Sequence, residues 1–288
     1  KTTIMEIKKF RLHNVGRFEN IEIPLAPTEN NICNITVFVG NNGAGKTSLL
    51  ESLAISLSWF VSRLRSEKGS GSPISERSIY NSAPSAAIDI EVLNTQAQLN
   101  NPHSTIKNPI FHWTLAKARL GRKGKHTSQL SGASALAEHY RNTLSNQENT
   151  NLPLIAFYPV ERTVLDIPLK IKEKHSFSQL DGYDNSLNMG VDFRRFFEWF
   201  REREDFENET GISEEAIAKV QDLFSADNAV LEQLRHLKDR QLTAVRTAIA
   251  NFMPGFSNLK VRRKPRLHMS IDKNNEQLNV SQLSQGEK

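Results

Sequence analysis

An α/β fold is predicted by three features of the sequence. An apolar, β-branched burst, Asn34 to Val39, stops abruptly at Gly40, and a glycine-rich turn follows it. From Lys46 onward Leu49, Leu50, Leu53, Leu57, Phe60, Val61 and Leu64 recur at three- and four-residue steps, one face of a helix of about five turns. Segments of period two flank this unit on both sides, and a helix-rich stretch interrupts them between residues 166 and 255.

The elements follow in order. Ile4, Ile7, Phe10 and Leu12 lie among charges, and Ile21, Ile23 and Leu25 share one face of a second strand. A polar turn at Thr28–Asn31 leads into Ile35, Val37, Phe38 and Val39, the pattern of a buried strand. Ser66 to Ser85 is rich in Ser, Gly and Pro and predicts a mobile surface loop. Residues 86–93 and 109–120 alternate like strands of an antiparallel sheet, Ala133–Leu144 has helical spacing, and residues 152–160 predict another buried strand. Beyond them, Phe193, Phe196, Phe197 and Phe200 form one helical stripe, a spacing that points to core rather than to base stacking. Ser213 is a candidate cap for a helix carrying Ile217, Val220 and Phe224. A longer helix with Leu231, Leu234, Leu242, Val245, Ile249 and Phe252 ends at Pro254-Gly255. Residues 258–283 resemble sheet edge around the turn at Asp272–Glu276. The expected division is 1–165, a nucleotide-binding lobe; 166–255, a helical insertion lobe; and 256–288, return strands.

Composition narrows the classes. At 38% hydrophobic and 24% charged residues the chain can bury a core, and its net charge of +5 permits a phosphate-bearing partner without requiring one. The richest apolar stretch, Leu49 to Val61, falls short of the ~18 residues that a membrane span needs. A soluble, cytoplasmic protein with no membrane partner is expected. The single cysteine, Cys33, excludes an internal disulfide and is expected to be a buried, inert thiol. The eight histidines show no close pair at ligand spacing, which speaks against a zinc site.

Gly40-Asn41-Asn42-Gly43-Ala44-Gly45-Lys46-Thr47 matches G-x-x-x-x-G-K-[ST]. Small residues let successive backbone N–H groups turn inward on phosphate oxygens, and a helix beginning at Lys46 points its positive end at the same anion. Asn41, Asn42, Gly43, Ala44, Gly45, Lys46, Thr47 and Ser48 are the expected nucleotide-binding residues. Lys46 reaches the β- and γ-phosphates as the catalytic residue, and the Thr47 hydroxyl suits Mg²⁺.

Together with this loop, Leu283-Ser284-Gln285-Gly286-Glu287-Lys288 resembles the signature of ABC-type ATPases, in the form found in the SMC and RecF group. Residues 12–23, 39–62 and 152–162 make the chain most similar to PtuA-like ATPases of Septu and retron anti-phage systems. The resemblance implies a mixed-sheet ATPase head with a helical insertion or short arm, binding ATP and Mg²⁺. It also implies homo-oligomers through ATP-sandwiched heads, with Ser284, Gln285 and Gly286 meeting the γ-phosphate held by a neighbouring copy. In that family setting the chain is the ATPase or sensor subunit controlling a partner nuclease. A RecF-like DNA-repair ATPase and an ATP-held scaffold with little hydrolysis are the alternatives.

This sequence departs from the family pattern in two places. The Asp-Glu pair that such ATPases carry after the signature does not occur in these 288 residues. The expectation is a truncated chain without its hydrolytic glutamate, and "AAIDIE" around Asp89 reads as an edge strand or turn rather than as a substitute. Nor does a glutamine stand before the helical lobe, where Tyr158 to Arg162 lie instead. Glu161 and Arg162 are candidate metal-water and phosphate contacts or a structural ion pair, and Arg17 is a phosphate contact or a surface charge. Lys117, Arg119, Arg122, Lys123, Lys125 and His126 form one candidate DNA-binding cluster, and Lys260, Arg262, Arg263, Lys264 and Arg266 a second; charged hairpins on a solvated face account for them comparably well, and slightly better for the second.

Overall fold

A computed structural model describes residues 5–95, 110–146, 151–159, 178–187, 193–210 and 239–284. The chain divides into two compact units, one comprising Lys1–Phe157 with Ser186–Asn188 and the other Tyr158–Asn185 with Met189–Lys288.

The first unit is built on an antiparallel sheet of order β2-β1-β3-β4. Its strands are β1 (Met5–Val15), β2 (Phe18–Pro24), β3 (Ser85–Asn94) and β4 (Ile110–Ala118). Alternation sorts their side chains. Phe10, Leu12, Ile88, Ile90, Val92, Phe111, Trp113 and Leu115 are buried, while Lys9, Arg11 and His13 of β1 line a polar pocket with Asp89, Glu91 and His112. Helices α1 (Lys46–Arg65) and α2 (Ser131–Asn146) pack together, with Phe60 edge-on to Tyr140 at 5.9 Å. Trp113 satisfies its indole N–H on the Ser56 carbonyl at 3.1 Å, which ties β4 to α1.

Several strand and loop expectations are corrected. The segment 32–40 forms no strand, and Ile35, Val37 and Val39 are 66%, 72% and 90% exposed. A strand needs a neighbour for its backbone groups, and none of the described strands runs beside this one. Residues 151–159 are likewise irregular, with Leu154 98% exposed. Cys33 is exposed rather than buried. β3 is an interior strand rather than an edge, and its Asp89 faces His13 at 3.2 Å and accepts from the Thr114 hydroxyl. Leu50 stands outside the buried stripe of α1 at 42% exposure.

The Gly/Ser segment after α1 is fitted rather than loose. A Cβ on Gly69 would lie 2.0 Å from the Ser62 carbonyl oxygen, so the strap approaches the end of α1 more closely than any side chain allows. Trp59 donates to the Ser72 carbonyl at 2.9 Å, and Ile74 and Ile79 are buried beyond it.

In the second unit, helices α3 (Phe193–Thr210) and α4 (Arg240–Phe252) share one core with a sheet of β5 (Phe256–Arg262), β6 (His268–Lys273) and β7 (Glu276–Asn279). Phe197, Phe200, Leu242, Val261, Met269 and Ile271 supply it, so the aromatic stripe is core. Asp239 caps α4 by accepting from the amides of Gln241 and Leu242. Phe252, expected on the apolar face, is 86% exposed. The helix expected after Ser213, with Ile217, Val220 and Phe224, and the positions Leu231 and Leu234 lie outside the described residues.

β5 is an edge strand, and the side chain of Glu204 supplies the acceptor that a further strand would have provided. Its carboxylate, on a residue 6% exposed, takes the buried Val261 N–H at 3.0 Å. Burial raises the Glu204 pKa, while the Val261 N–H, Arg246 and Arg263 pull it down and Asp205 adds to the rise. Because the folded value is raised, this group's contribution to stability is present below its ordinary value of 4.5 and is lost as pH rises through the folded value. Glu204→Gln keeps an acceptor for Val261 and is expected to flatten that pH dependence in thermal melts. Glu204→Ala strands the N–H and is expected to cost about 1–3 kcal/mol at every pH. Identical melting profiles for the two variants would remove this role from Glu204.

Candidate nucleotide site

The phosphate loop is presented by the start of α1 and braced by the β1–β2 hairpin. Gly45 takes the left-handed conformation at φ 92° as the residue before the helix, and it has no side chain to cap the amides that follow. The first intrahelical bond is Leu49 N–H to the Gly45 carbonyl at 3.0 Å, so the amides of Lys46, Thr47 and Ser48 belong to the uncapped helix end. No acidic residue occupies the first turn. Two cations, Lys46 and Arg17, reach the loop. The helix end and both cations therefore favour an anion.

Within the loop, Ala44 N–H meets the Asn41 carbonyl at 3.1 Å and closes a turn around Asn42 and Gly43. Gly43 is left-handed at φ 78°, and a Cβ there would meet nothing within 4 Å, so the loop opens on free space at this point. Lys46 folds back, its Nζ donating to the carbonyls of Gly40 at 2.6 Å and Asn41 at 2.9 Å. Thr47 is exposed in the first turn of α1, and Ser48 is half-buried. The dense donor set, the opening at Gly43 and an ammonium already turned onto the loop fit a polyphosphate, and the Thr47 hydroxyl fits its metal.

The hairpin contribution was only partly foreseen. Gly16 and Arg17 form a two-residue turn between the paired Val15 and Phe18, with Gly16 at φ 62°. A Cβ on Gly16 would sit 3.2 Å from the Ser48 Cβ, and one on Gly45 would sit 2.7 Å from the Phe18 ring. The Arg17 guanidinium donates to the Gly43 carbonyl. Arg17, although exposed, therefore touches the loop. Phe18 was not foreseen, although its place directly after a Gly-Arg turn is the signal that would have found it.

The remaining candidates separate by position. Ser284 lies directly after a capped turn, Val280–Gln282, beyond the buried Leu283. Gln285 and Gly286 lie outside the described residues, as do Glu161 and Arg162. Arg119 is partly engaged within the protein: its Nε donates to the Ala83 carbonyl at 2.9 Å and one terminal nitrogen to those of Ile79 at 3.0 Å and Asn81 at 2.5 Å, which anchors the strap to the end of β4. Arg122, Lys123 and Lys125 are exposed. Distant in sequence, His13 and His126 nonetheless stack at 4.9 Å, a pair that spacing along the chain could not reveal. No group of three or more possible metal-ligating His, Cys, Asp or Glu side chains occurs among the described residues, and no described helix is long and apolar enough to cross a membrane.

A strand hairpin bracing an uncapped helix start after Gly45 marks an α/β protein with a loop suited to phosphate. The chain matches the AAA domain model over residues 9–255 and belongs to that family. It is 30% identical over 326 aligned positions to "Retron Ec83 probable ATPase" of Escherichia coli, covering 99% of this chain and 56% of that protein. It is 27% identical over 313 positions to "Retron Vc95 probable ATPase" of Vibrio cholerae serotype O1 biovar El Tor, covering 99% and 59%. The chain therefore spans little more than half the length of the curated relatives it matches. Both relatives agree with the retron ATPase resemblance drawn from the sequence. A solved SMC ATPase chain is similar at 18% identity with a TM-score of 0.26, over 44% of this chain and 79% of that one.

Packing and backbone strain are separable at the two left-handed glycines. Gly43→Ala is expected to cost about 1 kcal/mol through φ alone. Gly45→Ala adds a collision with the Phe18 ring and is expected to cost about 1–3 kcal/mol more, read by chemical denaturation. Equal losses at the two positions would dissolve the claim that the hairpin braces the loop.

Proposed function

We propose that the chain is the nucleotide-binding part of a retron-type ATPase, holding ATP with Mg²⁺ in the loop 40–47. The observation that carries this reading is the uncapped start of α1 with Lys46 turned onto the carbonyls of Gly40 and Asn41. With a triphosphate bound, Lys46 would turn from those carbonyls to the phosphates, and the amides of Lys46, Thr47 and Ser48 would donate to its oxygens. Thr47 would hold the metal, which would supply charge neutralisation of the phosphates when bound. Arg17, fixed on the Gly43 carbonyl, keeps the loop in register and adds positive charge at its rim.

We further infer that two copies close head to head on nucleotide, with Ser284, Gln285 and Gly286 of one copy meeting the γ-phosphate on the other. Support comes from the signature string and from the capped turn that leads into Ser284. The names of the two relatives favour a retron setting over DNA repair, and in that setting the ATPase would govern a separate nuclease. A cytoplasmic location suits the exposed Cys33, which stays a thiol in a reducing compartment.

Titration with a fluorescent ATP analogue tests the site. Lys46→Ala is expected to weaken binding at least tenfold while leaving the unfolding midpoint within a degree or two, and undiminished affinity would refute the site. Sedimentation with a non-hydrolysable analogue tests the sandwich. Nucleotide-dependent dimers are expected for the wild type, and none for Ser284→Arg, in which a bulky cation replaces the hydroxyl. A dimer that forms without nucleotide, or survives Ser284→Arg, would refute head-to-head closure and leave the loop assignment intact.

A further inference from the structure

The hairpin β5–β6 carries a concentration of charge that the nucleotide site does not use. Residues 260–266 read Lys-Val-Arg-Arg-Lys-Pro-Arg, five cations in seven positions, and no acidic residue occurs from 256 to 271. Alternation explains half of the pattern. Leu259 and Val261 turn into the core at 4% and 7% exposure, so Lys260 and Arg262 fall on the opposite, exposed face of β5. Arg263, Lys264 and Arg266 continue as exposed residues around the turn to β6.

Ion pairing distinguishes this hairpin from β1. On β1, Lys8 pairs with Glu6, Lys9 with Glu91 and Arg11 with Glu22. Within residues 260–266 the one ion pair among the described residues is that of Arg263 with Asp205 of α3. Lys260, Arg262, Lys264 and Arg266 form no ion pair among the described residues. Four like charges held this close repel one another, and a polyanion relieves that repulsion.

The chemistry of the face narrows the polyanion. Single-strand binders combine a basic groove with aromatic platforms for the bases. Here Phe256 is buried at 8% exposure, no Tyr or Trp occurs between 256 and 284, and His268 is half-buried with its Nδ1 on the Arg266 carbonyl at 2.7 Å. The surface therefore meets backbone and not bases. Lys260 and Arg262 stand two residues apart on an extended strand, about 6.8 Å, the axial advance of two nucleotides along one strand of a duplex. A two-stranded ribbon also matches the width of the B-form major groove, whereas the corresponding groove of duplex RNA is too narrow to admit it.

We propose that the β5–β6 hairpin is a docking surface for duplex DNA, on which Lys260, Arg262, Lys264 and Arg266 neutralise phosphates without reading sequence. Fluorescence anisotropy of the full chain with a random 30-bp DNA duplex, between 50 and 200 mM KCl, tests it. Four phosphate contacts contribute a slope of about −3.6 to log K against log salt, or about a hundredfold in affinity across that range. The variant K260A/R262A/K264A/R266A is expected to lose that part of the slope and at least tenfold in affinity at 50 mM, with its melting curve unchanged. The variant K260R/R262K/K264R/R266K retains the charges and is expected to bind like the wild type. R122A/K123A/K125A, in the other basic loop, is expected to leave the slope in place. The proposal is overturned by absence of duplex binding, by an undiminished slope in the quadruple alanine variant, or by loss in the R122A/K123A/K125A variant instead. Tighter binding of the same-length single strand or RNA duplex overturns it as well.

Discussion

The contact between the β1–β2 turn and the last glycine of the phosphate loop is the constraint on which the candidate site depends. A glycine-rich loop has no side chains with which to hold its own shape, so rigidity must come from outside. Here it comes from the Phe18 ring over Gly45, from Gly16 against Ser48, and from the Arg17 guanidinium on the Gly43 carbonyl. The turn is itself supported: Gly16 N–H donates to the Ser78 carbonyl at 2.7 Å and Tyr80 N–H to the Asn14 carbonyl at 2.8 Å. The Gly/Ser strap after α1 therefore contributes to the site at one remove, through residues 78–80.

What the sequence disclosed depended on whether the determining contacts were local. The loop and α1 were legible because a helix start and a 3.6-residue stripe are encoded within one run of residues. The pairs of β3 with β4 and of β5 with β6 were legible for the same reason, each announcing itself by alternation. Segments 34–39 and 152–160 have equally good strand composition, but composition does not supply a neighbouring strand: 34–39 is irregular and largely exposed, and the described part of the other, 152–159, is irregular and mostly half-buried. The strap at 66–85 was misread in the opposite direction. Its glycines look like flexibility in a list of residues, whereas Gly69 is there because the backbone lies against Ser62. Arg119 belongs to the same lesson, since a basic residue in a basic loop can spend several of its donors on carbonyls.

The second unit shows how an exposed sheet edge is handled with side chains. β5 leaves the sheet open on one side, and Glu204 covers the Val261 amide with a carboxylate that burial has made costly to ionise. Arg246 lies close by, 3.8 Å from Glu204 and 2.8 Å from Glu207, with its guanidinium 5.8 Å from the Phe200 ring. Charge and aromatic packing are thus joined around a single strand amide, and the aromatic stripe of α3 is placed by the same cluster.

The uncovered run from Ile32 to Val39 has a practical bearing on handling the molecule. Ile32, Ile35, Val37 and Val39 are β-branched and mostly solvent-facing, and no charged residue occurs between Asn30 and Gly45. Such a stretch is a template for intermolecular strand pairing. Purified at high concentration, the polypeptide would tend to self-associate through this stretch, and in the cell it would attract chaperones until something covers it.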